Sequence, residues 1–339
     1  MAMPGMCRSI FILSGLLLGL VLSVSAGAET SASADVSSRS SATADASTGA
    51  GADVSSETWV LQPGNELVGE VGTVIARQED TLTDIARMHG LGYEEIIWAN
   101  PGTDIWLPGE GTVVTLPTRF ILPSARSGLV VNIAEYRIYY FHQVDGKPGV
   151  STFPVSIGRM DWSTPIGRWS VLAKQKDPAW YPPESIRNEH LTDGRGVLQK
   201  VVPAGPDNPL GRYAMRLSIN GYLIHGTNRP VGIGMQVTHG CIRMYPEDIE
   251  WLFPQVPVGT PVTIVNQPYK FGWAGDDLYL QAHPPLEDDK STREREMTVL
   301  TEEYVQATRD RPAQVNWRLV EDVYRRHEGI PVRVGTAIR

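Results

Sequence analysis

One stretch of the chain, residues 222–249, reads YLIHGTNRPVGIGMQVTHGCIRMYPEDI. It holds two His-Gly pairs, His225-Gly226 and His239-Gly240, and Cys241 directly follows the second. These residue types suit acyl transfer through a thioester. The attacking species is the thiolate. A free thiol has a pKa near about 8.5, so a neighbour must favour its ionisation. An imidazole does this by accepting the proton and facing the thiolate as imidazolium. Arg243 adds a positive charge close by. Gly240 lets backbone N–H groups turn inward, so the amides around Gly240 and Cys241 can form an oxyanion hole.

Other readings of the same residues compete. A metal site from His225, His239 and Cys241 has a spacing that fits no zinc pattern, and a catalytic zinc wants a carboxylate or a further histidine nearby. No metal is expected on these residues. A structural thiol with chance histidines fits poorly with a glycine after each histidine and Thr238 before the second. Two readings of Arg243 stand open: it braces the turn, or it binds a substrate carboxylate. His142, His190, His283 and His327 occupy unremarkable contexts and are expected at the surface.

The elements around these residues follow from local pattern. A strand over 222–225 ends on His225. Cys241 lies in a glycine-flanked turn ahead of a helix that Tyr245-Pro246 opens, with Glu247 and Asp248 in its first turn. That helix is expected to end near Phe253, before Pro254. A strand end, a tight turn and a helix start make a rigid frame for a nucleophile and its base. Further strands are expected over 129–133 and 137–142, joined by Ala134-Glu135-Tyr136, and over 153–157, 169–173, 214–219 and 262–265. Long Pro/Gly-rich connections lie between them, a common place for function.

Upstream, a β-type run over 71–75 precedes a helix. Thr81 and Asp84 stand in capping-box spacing, Leu82, Ile85, Ala86 and His89 share one face, and Gly90 closes it. A second helix over 93–100 stops at Pro101, and a strand follows over 112–116, giving βααβ order. A unit this small suits binding better than catalysis. Trp98 and Trp106 can stack on sugar or pack in a core. Residues 119–126 read as a linker.

Residues 29–58 contain no Leu, Ile, Phe, Tyr or Trp and have nothing to bury, so disorder is expected. Arg8, the apolar run over 10–24 and Ala26-Gly27-Ala28 read as a cleavable secretion signal over 1–28. The competing reading is an uncleaved anchor, although a span needs about 20 apolar residues. Past Tyr269, residues 291–310 and 314–327 read as two amphipathic helices. The 339 residues carry a net charge of −8, which argues against a nucleic-acid partner. The two cysteines, Cys7 and Cys241, cannot build a disulfide scaffold, and signal cleavage leaves Cys241 as the single thiol.

The run IHGTN followed by THGCIRM resembles the signature of YkuD-type L,D-transpeptidases. The likeness extends over 127–266, including TPIGRWSV and VVPAGPDNPLG. Thr238 stands where many members have Ser and keeps the hydroxyl. DTLTDIARMHGLGYEEIIWANP and WLPGEGTVVTLP, within 70–118, resemble a LysM module. The whole layout is similar to the ErfK/YbiS/YcfS/YnhG group.

The resemblance implies a mainly β fold with a β-rich YkuD-like catalytic domain, a small βααβ LysM-like module and a helical tail. The organisation is then a signal over 1–28, a disordered linker over 29–58, a peptidoglycan-binding module over 59–118, a catalytic domain over 127–266 and a partly helical extension over 267–339. Cys241 would attack the third residue of a peptidoglycan tetrapeptide stem and expel D-Ala, with His225 as general base. His239 and Gly240 would orient the turn or form the oxyanion site, and Arg243 and Thr238 are substrate-binding candidates. The acceptor would be a diaminopimelate amine, giving a 3→3 crosslink, or a lysine of an outer-membrane lipoprotein. Carbapenems would acylate the same thiol, no metal or organic cofactor would be needed, and the setting would be the periplasm. Two alternatives remain: water as acceptor, making a carboxypeptidase or a peptidoglycan–lipoprotein amidase, and a non-catalytic wall-binding scaffold.

Overall fold

The computed structural model describes residues 58–159 and 162–338. The secretion-signal reading, and the linker reading apart from Thr58, lie outside these residues.

The described chain begins with three short strands, β1 (Thr58–Val60), β2 (Leu67–Gly69) and β3 (Gly72–Ile75). Helix α1 (Leu82–Met88) starts where the capping pattern placed it. The Thr81 side chain accepts a hydrogen bond from the Asp84 amide at 3.1 Å, and Leu82, Ile85 and Ala86 are buried. Helix α2 (Tyr93–Trp98) follows, and β4 (Val113–Leu116) pairs antiparallel with β3 to complete the βααβ unit. Trp98 packs against the Tyr136 ring, 5.7 Å between centroids, whereas Trp106 is exposed.

The linker reading of 119–126 needs correction. Residues Arg119–Ile121 form strand β5, which pairs with β2 through Leu67↔Ile121 and Val68↔Phe120. Phe120, Ile121 and Leu122 are buried. Burial of that apolar triplet outweighs the loop chemistry of Pro123 and Ser124.

The central domain runs through β6 (Gly128–Asn132), a 3₁₀ turn (Ile133–Glu135), β7 (Arg137–Val144), β8 (Lys147–Gly158) and β9 (Gly167–Lys176). A long insertion carrying α3 (Glu184–Thr192) leads to β10 (Tyr213–Leu217), β11 (Leu223–His225), β12 (Gln236–Thr238) and β13 (Ile242–Met244). Helix α4 (Pro246–Gln255) and β14 (Pro261–Val265) complete it. With β1, these strands form a ten-stranded sheet. Its pairing path closes on itself because the long β8 bonds β7 along its first part and β13 at Val155 and Ser156. Helix α4 extends past its expected end and holds Pro254 in its last turn. A proline there forfeits one bond back to the preceding turn, a small loss beside the burial of Ile249 and Leu252.

The strands alternate, and the alternation assigns the faces. Leu129, Val131, Ile138, Phe153, Val155, Met215, Ile224, Ile242 and Met244 point inward against Ile249 and Leu252 of α4. Val130, Tyr139 and Val150 point the other way and pack on Leu82, Ile85, Leu91 and Ile96 of the βααβ unit. The β6–β7–β8 region is thus buried on both faces, and the small unit is seated on it.

The C-terminal region departs from the expected tail. Strands β15 (Tyr269–Ala274) and β16 (Asp277–Ala282) precede α5 (Lys290–Glu294), α6 (Glu296–Thr308), β17 (Ala313–Val315), α7 (Trp317–Arg326) and β18 (Val332–Ala337). The expected helices exist, the first broken near Arg295. They pack on a sheet ordered β15-β16-β18-β17 that their pattern did not announce. His283 also needs correction: it is buried, with its ring 5.6 Å from that of Trp98. It directly follows β16 and lies between Trp98 and Gly329, and no local pattern in the sequence signals that cover.

Candidate active site

Face alternation also builds the site. Because Met215, Ile224, Ile242 and Met244 point into the core, Ala214, Arg216, Leu223, His225, Cys241 and Arg243 face the opposite side. Strands β11 and β13 are parallel, with Ile224 opposite Ile242 and His225 opposite Arg243. On its other flank, β11 pairs antiparallel with β10, placing Ala214 opposite His225. Cys241 therefore sits one step back along the β13 side of the imidazole. Sγ of Cys241 donates to the Gly221 carbonyl oxygen at 3.8 Å. His225, Cys241 and Arg243 line one cleft of about 1200 Å³.

The His225 ring is oriented by its own backbone. Nδ1 lies 2.6 Å from the Gly226 carbonyl oxygen. A carbonyl only accepts, so Nδ1 carries the hydrogen and Nε2 keeps its lone pair. Burial pushes the His225 pKa down to about 3, and the Arg243 charge acts in the same direction against the opposing Gly226 and Leu210 carbonyls. The ring is neutral at physiological pH. Burial pushes the Cys241 thiol up, and the Leu223 amide and Arg243 offset this only in part. The resting pair is thiol and neutral imidazole, in place of the expected thiolate and imidazolium. Withdrawal from solvent disfavours charge on both groups, and Arg243 stands in register with the histidine.

The turn that carries Cys241 is held from several sides. Thr238 Oγ1 donates to the Cys241 carbonyl at 2.6 Å, and the Thr238 carbonyl accepts from the Arg159 amide at 2.9 Å. Thr164 Oγ1 donates to the Gly240 carbonyl at 3.0 Å. Gly240 has φ +92°, and a Cβ there would lie 2.7 Å from Cε1 of Tyr222. Both the backbone conformation and the space demand glycine. His239 Nε2 lies 2.8 Å from Glu189 Oε2, and the edge of its ring meets Trp162 at 5.4 Å between centroids. The hydrogen bond from His239, then that from Arg159, lowers the Glu189 pKa.

The six sequence candidates thus gather around one turn and the strand beside it. Arg243 makes no side-chain hydrogen bond or ion pair among the described residues, and its buried Nε is unpartnered. Thr238 is buried and spends its hydroxyl on the turn. Sequence reasoning missed Glu189, Arg159, Thr164 and Tyr222. Thr164 falls within TPIGRWSV, but Glu189 lies on an insertion helix remote from His239 in sequence, where no spacing signal exists. Among the described residues, no group of three His, Cys, Asp or Glu side chains is placed to hold a metal ion.

Known proteins are similar to this chain over most of its length. The model of the YkuD family, the L,D-transpeptidase catalytic domain, matches residues 126–264. The probable L,D-transpeptidase ErfK/SrfK of Salmonella typhimurium is 38% identical over 278 residues, which cover 80% of this chain and 88% of that relative. The probable L,D-transpeptidase YcfS of Escherichia coli is 38% identical over 287 residues, covering 82% and 88%. The chain belongs to the L,D-transpeptidase family. The probable L,D-transpeptidase YbiS of Escherichia coli is 36% identical over 279 residues, covering 80% and 89%. The family match in this L,D-transpeptidase spans β6 to β14, so it contains the strands and the turn that carry His225 and Cys241. Among the described residues, no helix is long and apolar enough to cross a membrane.

Proposed function

We propose that this L,D-transpeptidase forms a thioester on Cys241, with His225 as its base. The observation that carries this reading is the shared face of β11 and β13, from which both side chains enter one cleft while Gly226 fixes the imidazole tautomer. The thiol proton passes to Nε2 of His225 as sulfur attacks the carbonyl of the third stem residue. Neutral resting partners support transfer of that proton during attack rather than before it. The imidazolium then protonates the departing amine, and D-Ala leaves. An acceptor amine attacks the thioester carbonyl, the C–N bond forms, the C–S bond breaks, and the proton returns to sulfur. Gly240 and the amides beside it serve the oxyanion, and His239 and Thr238 hold the turn.

The substrate in this reading is the peptidoglycan tetrapeptide stem. The cleft is lined by Arg159, Lys174, Arg195, Arg216, Arg229 and Arg243 against the acids Glu189 and Asp207. An excess of cations in an acidic chain suits the carboxylates of a stem peptide. The unpartnered Arg243 favours substrate binding over bracing. The acceptor is a diaminopimelate amine or a lipoprotein lysine, and carbapenems acylate the same sulfur. The βααβ unit acts as a LysM-like module on glycan, with exposed Trp106 available for stacking. The setting is the periplasm, reached through a cleaved signal over 1–28.

Incubation with tetrapeptide muropeptides followed by intact-mass spectrometry tests the chemistry. The expected result is a covalent tripeptide adduct and released D-Ala with the native chain, and neither with Cys241→Ala. Full turnover by Cys241→Ala overturns the assignment.

A further inference from the structure

The insertion between β9 and β10 is held unlike the rest of the domain. Its neck is closed by reciprocal bonds, from the Trp180 amide to the Val202 carbonyl at 2.8 Å and from the Val202 amide to the Trp180 carbonyl at 2.9 Å. Nδ2 of buried Asn208 donates to the carbonyls of Pro178, Val202 and Pro203 and staples that neck. Beyond it, α3 has no buried residue. A helix with no fully buried side chain gains little from the hydrophobic effect.

Glu189 supplies the tie. Its Oε1 accepts from Arg159 at 2.7 Å, and its Oε2 lies 2.8 Å from His239 Nε2. Among the described residues, these are the only hydrogen bonds or ion pairs that α3 side chains make outside the insertion. Both partners belong to the nucleophile's support: the Arg159 amide bonds the Thr238 carbonyl, and His239 precedes Gly240-Cys241. An ionised carboxylate only accepts, so it sets the hydrogen on Nε2 of His239 and fixes which way that ring faces.

We propose that Glu189 is a positioning residue that acts through His239, so that seating the insertion over the cleft and aiming the Cys241 turn are one event. This deepens the transpeptidase reading and rests on it.

A double-mutant cycle on the full chain tests the inference, using Glu189→Leu, His239→Asn and the pair, with tetrapeptide turnover as the readout. Glu189→Leu is expected to lower kcat by about tenfold or more, the range of orienting partners, with KM changed by less than about threefold. The double variant is expected to match His239→Asn within about twofold, the mark of one shared pathway. Glu189→Gln keeps an acceptor for Nε2–H and is expected to recover part of the loss. Native kcat in Glu189→Leu, or losses that multiply in the pair, overturns the proposal. Native melting temperatures show whether each variant is folded, and Glu189→Ala replaces Glu189→Leu if the latter is not. If the native chain shows no acyl transfer, the transpeptidase reading fails. The cycle is then read from the iodoacetamide alkylation rate of Cys241, where the same non-additivity is required and additive effects overturn it.

Discussion

Arg137 on β7 grips Glu95 on α2 through two hydrogen bonds, Nε to Oε1 at 2.6 Å and Nη2 to Oε2 at 2.9 Å, with both side chains buried. The same guanidinium donates to the Gly90 carbonyl and lies over the Phe120 ring. Glu95 also accepts the Gly92 amide at 2.6 Å. The pair therefore fixes the start of α2, whose Tyr93 and Glu94 amides bond the carbonyls of Ile233 and Gly234 between the two site histidines. Removing one partner leaves a buried charge unpaired, at a cost of about 3–5 kcal/mol. Arg137→Met is expected to lose about that much in urea unfolding. Adding Glu95→Leu is expected to recover much of it, because two apolar groups leave no stranded charge. Equal destabilisation in the single and double variants contradicts this account.

Neutral resting partners at the site predict an unusual reactivity profile. Burial raises the Cys241 thiol above its ordinary value and lowers His225 to about 3. The rate of alkylation by iodoacetamide should therefore climb with pH through 9 and beyond. Below that it should fall about tenfold per pH unit, following the thiolate fraction. No break is expected near pH 6.5, because His225 is already neutral there. A plateau between pH 5 and 8 signals a preformed thiolate–imidazolium pair and contradicts the prediction.

Much of the cleft was legible because the chemistry is local. His225, His239, Gly240, Cys241 and Arg243 fall in one window, and strand period alone sends His225 and Cys241 to the face opposite Ile224 and Ile242. The βααβ order was legible from Thr81, whose cap forms as read. What escaped depends on contacts distant in sequence. Glu189 reaches His239 across a cleft, and Lys270 on β15 pairs with Glu135 at 2.6 Å inside the protein. The C-terminal sheet hid in short runs. Tyr269, Phe271 and Trp273 alternate with Lys270 and Gly272, but strongly charged helices nearby dominated the pattern. The charge states at the site were misread because local sequence does not report desolvation.

Asp248 gives a stability prediction with a defined sign. It lies buried in the first turn of α4, and its Oδ2 has no partner. Burial, with a smaller push from Glu247 against the pull of Arg137 and Arg87, raises its pKa from 3.8 to about 8. The folded state then holds a proton that the unfolded state releases between pH 3.8 and about 8. Stability is lost as pH rises through that window. Asp248→Asn is neutral at every pH and of similar shape. Its melting temperature should exceed that of the native chain by a few degrees at pH 8.5 and converge with it at pH 4, as thermal scans at the two pH values would read. A gap that is widest at pH 4 reverses the sign and rejects the account.

Gly234 shows how closely the βααβ unit is joined to the site. Its φ is +91°, and a Cβ there would lie 2.5 Å from the Gly92 Cα and 2.5 Å from the Tyr93 amide nitrogen. Backbone faces backbone, so no flexible side chain can give way. Gly146 offers a control: its φ of +74° imposes similar strain, but nothing lies within 4 Å of an added Cβ. Gly146→Ala should cost about 1 kcal/mol of backbone strain and leave turnover intact. Gly234→Ala should cost about 1–3 kcal/mol more from overpacking. It must also part α2 from the 233–234 segment, so turnover of tetrapeptide should fall by about tenfold or more even at a temperature where the variant is fully folded. If the unit were a tethered binding module with no part in shaping the cleft, stability would drop while turnover of a small, glycan-free stem peptide stayed at the native rate.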